Sequence, residues 1–173
     1  MDIRAHIPVV PDWPKPGVNF LDVTGLLITP TVYNHVVNLM SLWVQQFGAT
    51  SLVAVESRGF LFASPIAKAL ALPLVIVRKP NKLPGDVYSV TYDTEYSTDS
   101  LSIKTNSPVG TSPCIIDDLI ATGGTVLATA GLLRQHFAPE SVGCAAVIGL
   151  DFLPGRVNLQ ANDIEVYTLV DYA

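Results

Sequence analysis

Two acidic residues and a run of small residues lie close together in the segment Cys114 to Thr125, which reads CIIDDLIATGGT. Asp117 and Asp118 can accept hydrogen bonds from two neighbouring hydroxyl groups, such as those of a ribose ring. The small residues let the backbone approach a ligand, and a helix that begins there directs unpaired N–H groups and its positive dipole end at an anion. The residues expected to hold the anion are Ala121, Thr122, Gly123, Gly124 and Thr125. The segment therefore predicts a site for a phosphorylated ribose.

A simpler interpretation of this segment is purely structural. The two aspartates can cap a turn, and the two glycines can do no more than permit that turn. We favour the binding interpretation because the run is longer and more unusual than a short glycine motif. The segment also lacks the terminal Gly-Lys-Ser/Thr of a P-loop, which disfavours the hydrolysis of nucleoside triphosphates.

Two further groups of residues are candidates for binding a second anion. Ser57 and Arg58 lie between an apolar run and a helical pattern, where backbone N–H groups and a guanidinium can hold an anion. The second group consists of Arg78, Lys79 and Lys82. A Pro-Gly turn follows this group and would hold its charges at the edge of a sheet. The alternatives are an ordinary surface ion pair for Arg58 and a solvated basic turn for the second group.

Short β-branched runs alternate with longer helical patterns, which predicts an α/β fold with a mostly parallel central sheet flanked by helices. The predicted strands are Ser51 to Glu56, Leu74 to Arg78, Pro113 to Asp117, Gly143 to Leu150 and Val166 to Val170. The predicted helices are Thr31 to Phe47, which Gly48 would cap, Gly59 to Leu72 and Gly124 to Phe137. Residues Val87 to Lys104 alternate apolar and polar side chains, which indicates an antiparallel hairpin or a long mobile arm. Ligands of such sheets bind beyond the carboxyl ends of the strands, where the ribose phosphate segment lies.

The composition limits the classes of partner. A chain of 173 residues suits one domain, and its formal net charge of −5 argues against broad binding to nucleic acid or to anionic membranes. No apolar run approaches the roughly 18 residues of a membrane-spanning helix, and the N-terminus lacks the pattern of a signal peptide. Cys114 and Cys144 lie in apolar stretches and are expected to be buried thiols, which predicts a cytoplasmic location.

The acidic and glycine-rich run resembles the phosphoribosyl pyrophosphate motif of type I phosphoribosyltransferases, and other segments resemble the adenine phosphoribosyltransferase family. These segments are PKPGVNFLDVTGLL, VESRGFLFASPIA, RKPNKLPG, EYSTDSLSI and VYTLVDY, in this order along the chain. The resemblance spans nearly the whole chain. It implies the type I fold in a single domain of residues 1–173, with a small N-terminal base-binding hood of about residues 1–30. It also implies a mobile active-site loop of about residues 86–104.

The resemblance implies roles for individual residues. The residues that match catalytic positions are Glu95, Arg58 and Lys82, and those that match the pyrophosphate site are Ser57, Arg58 and Lys82. Those that match the base-binding site are Val18, Phe20 and Leu21. Arg78 and Lys79 match a dimer contact, from which one subunit reaches the pyrophosphate in the site of the other. Tyr96 matches a residue of the closing loop.

The chain departs from the family pattern at a few of these positions. Leu21 stands where Arg is usual, and Ser97 replaces the Gly that follows the Glu-Tyr pair of the loop. Asn81 replaces a usual Gly, but asparagine can also adopt a left-handed backbone conformation. These departures bear on base preference and turnover more than on the fold.

The implied reaction joins adenine and 5-phosphoribosyl 1-pyrophosphate to give AMP and pyrophosphate, a step of purine salvage. The resemblance implies Mg²⁺ as cofactor, held mainly by substrate and water and not directly by protein side chains. It also implies a homodimer. Two alternatives remain. One is a phosphoribosyltransferase for a 6-oxopurine such as hypoxanthine or guanine, and the other is a non-catalytic protein that senses the sugar substrate or a nucleotide.

Overall fold

Apolar, β-branched segments build the central sheet of this computed structural model, which describes residues 1–93 and 98–173. The strands are β1 (Val9–Val10), β2 (Phe20–Leu21), β3 (Ser51–Val55), β4 (Leu74–Arg78), β5 (Val87–Asp93), β6 (Thr98–Lys104), β7 (Pro113–Ile120), β8 (Val142–Leu150) and β9 (Ile164–Tyr172). Within the described residues, seven of them form one sheet in the order β5-β6-β4-β3-β7-β8-β9. Neighbouring strands from β4 to β9 in this order run parallel, whereas β6 runs antiparallel to both β4 and β5. The predicted α/β class with a mostly parallel sheet is confirmed.

Helices cover both faces of this sheet. They are α1 (Gly25–Ile28), α2 (Pro30–Phe47), α3 (Gly59–Leu70), α4 (Gly124–Phe137) and α5 (Gly155–Gln160), and a short 3-10 helix spans Arg4–His6. One apolar cluster joins α2 and α3 to the sheet, and a second cluster joins α4, α5 and the β5-β6 hairpin to the opposite face. The central strands β3, β7 and β8 are therefore buried along most of their length, as two-sided coverage requires. In the described part of the chain, no helix is both long and apolar enough to cross a membrane.

Some helix and strand ends lie where the sequence predicts them, and others differ by a few residues. Helix α2 begins at Pro30, which suits a first helical turn, and ends at Phe47. The C-cap that follows is Gly48, whose φ of 77° is left-handed. The predicted strand that stopped at Asp117 continues to Ile120, so the two aspartates lie inside β7 and not at its end. The helix predicted to reach Leu72 ends at Leu70. Helices α1 and α5 were not predicted.

The alternating stretch forms the predicted antiparallel hairpin, with Val87 opposite Lys104 and Asp93 opposite Thr98. Tyr88 on β5 stacks on His136 near the end of α4, with ring centroids 3.8 Å apart. At the other end of α4, the Tyr92 hydroxyl lies 3.3 Å from the hydroxyl of Thr125. The hairpin is thus anchored along α4, whose first turn belongs to the ribose phosphate segment.

The N-terminal region contributes to the core and to a short two-stranded sheet. Ile3, Ile7 and Leu26 are buried in the cluster that also contains α2 and α3. Strands β1 and β2 pair antiparallel through Val9 with Leu21 and Val10 with Phe20. This pairing leaves part of the Phe20 ring accessible, next to the carboxyl ends of the central strands.

Candidate active site

A cavity of about 440 Å³ opens at the carboxyl ends of the adjacent parallel strands β3 and β7. It is lined by residues 55–58, which follow β3, and by residues 117–126, which run from β7 into α4. The structure therefore brings together two groups that the sequence places about 60 residues apart, namely Ser57 with Arg58 and the whole predicted ribose phosphate segment from Asp117 onward. This is the position at which open α/β sheets bind ligands.

Residues 121–125, called here the phosphate loop, connect β7 to α4. Gly123 has a φ of 83° and serves as the N-cap of α4, a left-handed conformation that residues with a side chain rarely adopt. Among the described residues, no side-chain hydrogen bond caps this helix at Gly123. Its first N–H groups and the positive end of the helix dipole lie at the cavity wall, which suits a phosphate group.

The two aspartates border the same cavity but have different partners. The Asp118 Oδ2 atom lies 2.6 Å from Arg58 Nε, and the Asp118 side chain is only 9% exposed. The Asp117 carboxylate accepts a hydrogen bond from the backbone N–H of Asp118 at 2.9 Å. Burial, together with the negative charge of Asp118, holds the pKa of Asp117 well above its ordinary value. Both carboxyl groups face the cavity, where the half-buried Asp117 and the buried Asp118 can accept hydrogen bonds from a hydroxyl-rich ligand.

Arg58 connects two parts of the site, the acidic pair and the N-terminal region. Besides its ion pair with Asp118, its guanidinium lies over the ring of Phe20, 5.2 Å from the centroid. The Phe20 ring also meets Trp13 edge-on, with centroids 4.4 Å apart. Since the Arg58 side chain is 40% exposed, it remains available to an anion in the cavity.

The three predicted base-binding residues have unequal exposure. Val18 is 41% exposed and Phe20 is half-buried, so both side chains are accessible, and Phe20 lies beside Arg58 of the cavity. Leu21 is 9% exposed and packs in the core, so a contact between Leu21 and a base would involve its backbone. The backbone pairing that we expect for a purine edge is compatible with this position.

The loop after β3 and the turn after β4 are joined by a bridge that the sequence did not reveal. Arg78 donates two hydrogen bonds to the carboxylate of Glu56, at 2.9 and 3.1 Å, and a third to the carbonyl oxygen of Lys82 at 3.2 Å. The same carboxylate accepts the backbone N–H of Lys79 at 3.0 Å. The hydrogen bond from Arg78 is the main cause that lowers the pKa of Glu56. Arg78 is thus engaged within its own chain, and its predicted role across a dimer stays a prediction.

The two predicted lysines, Lys79 and Lys82, lie on the turn after β4. Lys82 is exposed on the turn and, among the described residues, is not one that lines the cavity. It borders a separate groove of about 450 Å³ together with Arg78 and Lys104. The Lys79 ammonium lies 3.7 Å from Asp99 on β6. Asn81 has a φ of 63°, so this asparagine does adopt the left-handed conformation in place of the usual glycine.

Glu95 and Tyr96 lie outside the described residues, so their predicted roles stay predictions. What the structure describes is the hairpin on either side of them, which ends next to the phosphate loop through the contact between Tyr92 and Thr125. Sequence reasoning missed Tyr92, although its place in an alternating strand beside the loop was a usable signal. It also missed Glu56, whose position before Ser57 and Arg58 was visible but whose partner was not.

Neither cysteine takes part in the site. Cys114 and Cys144 are free and fully buried, as predicted, and burial raises the pKa of both thiols. Among the described residues, no group of three or more His, Cys, Asp or Glu side chains is arranged to hold a metal ion. The groups that the protein itself places at the cavity are carboxylates, a guanidinium and backbone N–H groups.

Comparison with known proteins agrees with this geometry. The family described as phosphoribosyl transferase domain matches residues 23–171. An adenine phosphoribosyltransferase of Yersinia pestis is 43% identical over 171 residues, which cover 98% of this chain and 91% of the relative.

Two solved structures of similar proteins cover nearly the whole chain. The adenine phosphoribosyltransferase of Saccharomyces cerevisiae, in complex with D-2,5-dideoxy-2,5-imino-altritol 1,6-bisphosphate and adenine, has a TM-score of 0.89 at 34% identity and covers 97% of this chain and 96% of its own. The enzyme of Thermoanaerobacter pseudethanolicus has a TM-score of 0.88 at 34% identity, with 98% of both chains covered. Since domain, sequence and fold agree over this length, the chain belongs to the adenine phosphoribosyltransferase family.

Proposed function

We propose that the protein transfers the phosphoribosyl group of 5-phosphoribosyl 1-pyrophosphate to adenine, giving AMP and pyrophosphate in purine salvage. The observation that carries this proposal is the single cavity in which the phosphate loop, the acidic pair and Arg58 meet beside the accessible ring of Phe20. These groups match the four parts of the reaction, which are a phosphate, a ribose, a pyrophosphate and a flat base. The similar yeast enzyme was solved with an imino-altritol bisphosphate and adenine bound.

The sugar substrate is held at both ends. Residues 121–125 bind the 5-phosphate through backbone N–H groups and the hydroxyls of Thr122 and Thr125, and Asp117 and Asp118 accept hydrogen bonds from the ribose hydroxyls. During transfer, the bond between C1 of the ribose and the pyrophosphate oxygen breaks, and its electron pair leaves with pyrophosphate. A bond forms between C1 and a ring nitrogen of adenine, which gives up a proton. Fixing the sugar in this way removes much of the orientational entropy from the barrier.

Negative charge develops on the departing pyrophosphate. Ser57, Arg58 and Lys82 are proposed to bind it, and the partly exposed side chain of Arg58 can turn from Asp118 towards it. Oxygen ligands suit Mg²⁺, and the carboxylates that border the cavity can accept hydrogen bonds from water on an ion that the substrate holds. When bound, Mg²⁺ neutralises charge on the leaving group. We therefore propose Mg²⁺ dependence without a direct protein ligand.

The base site is proposed to lie in the hood formed by about residues 1–30. Phe20 can stack on adenine, with Val18 at its side and the backbone near Leu21 pairing with the edge of the base. The active-site loop of about residues 86–104 would close over this assembly and exclude water, which would otherwise hydrolyse the activated sugar. Within that loop, Glu95 is proposed to exchange a proton with the purine and Tyr96 to contact the closed site.

The assembly and location of the protein are also proposals. A homodimer in which Arg78 and Lys79 approach the pyrophosphate site of the other subunit is expected from the family. A cytoplasmic location agrees with two buried free thiols, since such thiols persist in a reducing compartment. In this reading the protein acts on small molecules, with neither nucleic acid nor membrane as a partner.

Product analysis tests the transfer reaction. The purified protein, given adenine and 5-phosphoribosyl 1-pyrophosphate with Mg²⁺, should form AMP and pyrophosphate in equal amounts. Chelation with EDTA should reduce the rate by at least about 10-fold, equivalent to roughly 1.4 kcal/mol of barrier, and added Mg²⁺ should restore it. If the protein binds the sugar substrate but forms no nucleotide with any base, it is a sensor and the proposed transfer is wrong.

A further inference from the structure

Helix α5 (Gly155–Gln160) forms a wall against the phosphate loop on the side away from the cavity. A Cβ atom added to Gly155 would lie 2.1 Å from the carbonyl oxygen of Ala121, so this approach is open only to glycine. Leu159 is fully buried, and a Cβ atom added to Gly123 would lie 3.3 Å from its Cγ. The loop therefore rests on α5 with almost no free space between them.

The side chain of Asn158 makes a directed contact across this interface. Its Nδ2 atom donates a hydrogen bond to the carbonyl oxygen of Thr122, at 3.2 Å. In a trans peptide the carbonyl and the N–H of the next residue point in opposite directions. Holding the Thr122 carbonyl towards α5 therefore directs the N–H of Gly123 away from α5.

The same reasoning applies one residue earlier. The Ala121 carbonyl faces Gly155 of α5, so the N–H of Thr122 also points away from that helix. Both Thr122 and Gly123 line the cavity. Two successive N–H groups that converge on one side of a loop form a concave anion site, and their direction is set by contacts with α5.

Helix α5 is itself fixed to the end of the sheet. Arg156 donates from Nε to Asp151 at 3.1 Å and from Nη2 to Thr168 and Asp171, the last two on β9. These contacts hold the helix without involving Asn158. The Asn158 hydrogen bond can therefore be removed while the position of the helix is retained.

We propose that Asn158 is a positioning residue for the 5-phosphate of the sugar substrate. It does not touch the substrate, but it holds the peptide between Thr122 and Gly123 in the orientation that presents N–H groups to the phosphate. The identity of the bound group rests on the proposed function, whereas the contact of Asn158 with the loop does not.

The experiment compares Asn158→Ala with Asn162→Ala. Asn162 is a matched control because its Nδ2 also donates to a backbone carbonyl, that of Asn158, at 2.8 Å, and it lies just beyond α5 on the side away from the loop. The readouts are the Kd of ribose 5-phosphate by calorimetry, the KM values of both substrates, and kcat. Asn158→Ala should raise the Kd of ribose 5-phosphate and the KM of the sugar substrate about 10-fold, roughly 1.4 kcal/mol, and leave the KM of adenine unchanged. Asn162→Ala should change none of them by more than about 2-fold.

A second variant keeps the inference testable if the alanine loosens the helix. Asn158→Asp has nearly the same volume but at neutral pH places an acceptor against the Thr122 carbonyl, so it should weaken ribose 5-phosphate binding more than the alanine does. Equal binding by wild type and both Asn158 variants would overturn the inference and leave the proposed function intact. An equal loss in Asn162→Ala would also overturn it, because the effect would then be general to the helix. Absence of ribose 5-phosphate binding in the wild type would overturn both.

Discussion

At the scale of single residues, the two aspartates of β7 differ in how their charges are compensated. Asp118 has Arg58 as an ion-pair partner, but this arginine is 40% exposed, so the pair contributes only about 0–1 kcal/mol to stability. Asp117 has a raised pKa, because burial and the neighbouring carboxylate both disfavour its charged form. The ionised form of Asp117 therefore opposes folding, and because the residue also borders the cavity it is a candidate for ligand binding.

Replacing each aspartate by asparagine should separate stability from function. Asp117→Asn removes the poorly compensated charge beside Asp118 and should raise the melting temperature of the ligand-free protein, by roughly 2–4 °C for each kcal/mol gained. Asp118→Asn removes an ion pair and should lower it slightly. Both variants should lower kcat/KM for the sugar substrate by about 100-fold or more. Unchanged kinetics in both variants would remove the acidic pair from the proposed mechanism.

The stability gain of Asp117→Asn should depend on pH. Near pH 3 the carboxyl group is protonated in both folded and unfolded chains, so wild type and variant should unfold at similar temperatures. As the pH rises past the ordinary aspartate value of about 4, the unfolded chain loses its proton before the folded one. The free energy of unfolding of the wild type then falls with pH until the raised pKa is passed. Melting curves from pH 3 to 8 should show the difference widening with pH, and a constant difference would contradict this account.

The sequence predicted best those site residues that lie together in one short segment. Asp117, Asp118 and residues 121–125 were recognisable because they lie within one short segment, and the structure brings them to one cavity as expected. Glu56 and Asn158 could not be assigned in this way. Their partners, Arg78 and Thr122, lie 22 and 36 positions away, and only the folded backbone makes them neighbours.

At the scale of elements, the bridge between Glu56 and Arg78 links the loop after β3 to the turn after β4. Its carboxylate holds the Arg78 guanidinium and the Lys79 N–H, and Arg78 in turn holds the Lys82 carbonyl. The two segments proposed to bind pyrophosphate are thereby held in one relative position. Their mutual geometry depends on a residue that touches no substrate in the proposed mechanism.

Glu56→Gln should weaken pyrophosphate binding without abolishing the fold. The amide keeps the volume but loses the charge that orients Arg78, so the inhibition constant of pyrophosphate should rise about 5- to 10-fold while the KM of adenine stays constant. Glu140→Gln is a matched control, because Glu140 is exposed just before β8, at the amino ends of the parallel strands. The cavity lies at their carboxyl ends. An unchanged inhibition constant in Glu56→Gln, or an equal change in the control, would show that the bridge has no role in positioning.

The elements that the sequence predicted are those with enough length for a pattern. Helix α2 and the hairpin extend over many residues, so their periodicities can be recognised. Helix α5 has six residues, under two turns, and it begins at the glycine of a Pro-Gly pair that resembles a turn. The sequence predicted that strand β7 ends at Asp117, because aspartates are unusual inside a strand. They are accommodated there because they border a cavity, and the ladder to β8 continues through Leu119 and Ile120.

At the scale of the whole molecule, the parallel sheet decides where the site lies. Strands β3 and β7 are adjacent, so the loops that follow them meet at one edge, while the hairpin and the N-terminal region reach the same edge from opposite sides. In the proposed mechanism, the sugar substrate is bound by the loops that follow β3 and β7. The base is proposed to bind in the N-terminal region, where Leu21 departs from the family pattern, so the choice of base calls for a direct test.

Initial rates with adenine, hypoxanthine and guanine, measured on the same preparation with saturating 5-phosphoribosyl 1-pyrophosphate and Mg²⁺, test that claim most directly. Hypoxanthine and guanine present a carbonyl where adenine has an amine, so a site that pairs with the amine leaves a buried acceptor unpaired with either. We expect AMP to form at least about 100-fold faster than IMP or GMP, which corresponds to roughly 2.7 kcal/mol of discrimination. Formation of IMP or GMP at a rate equal to or above that of AMP would contradict the account.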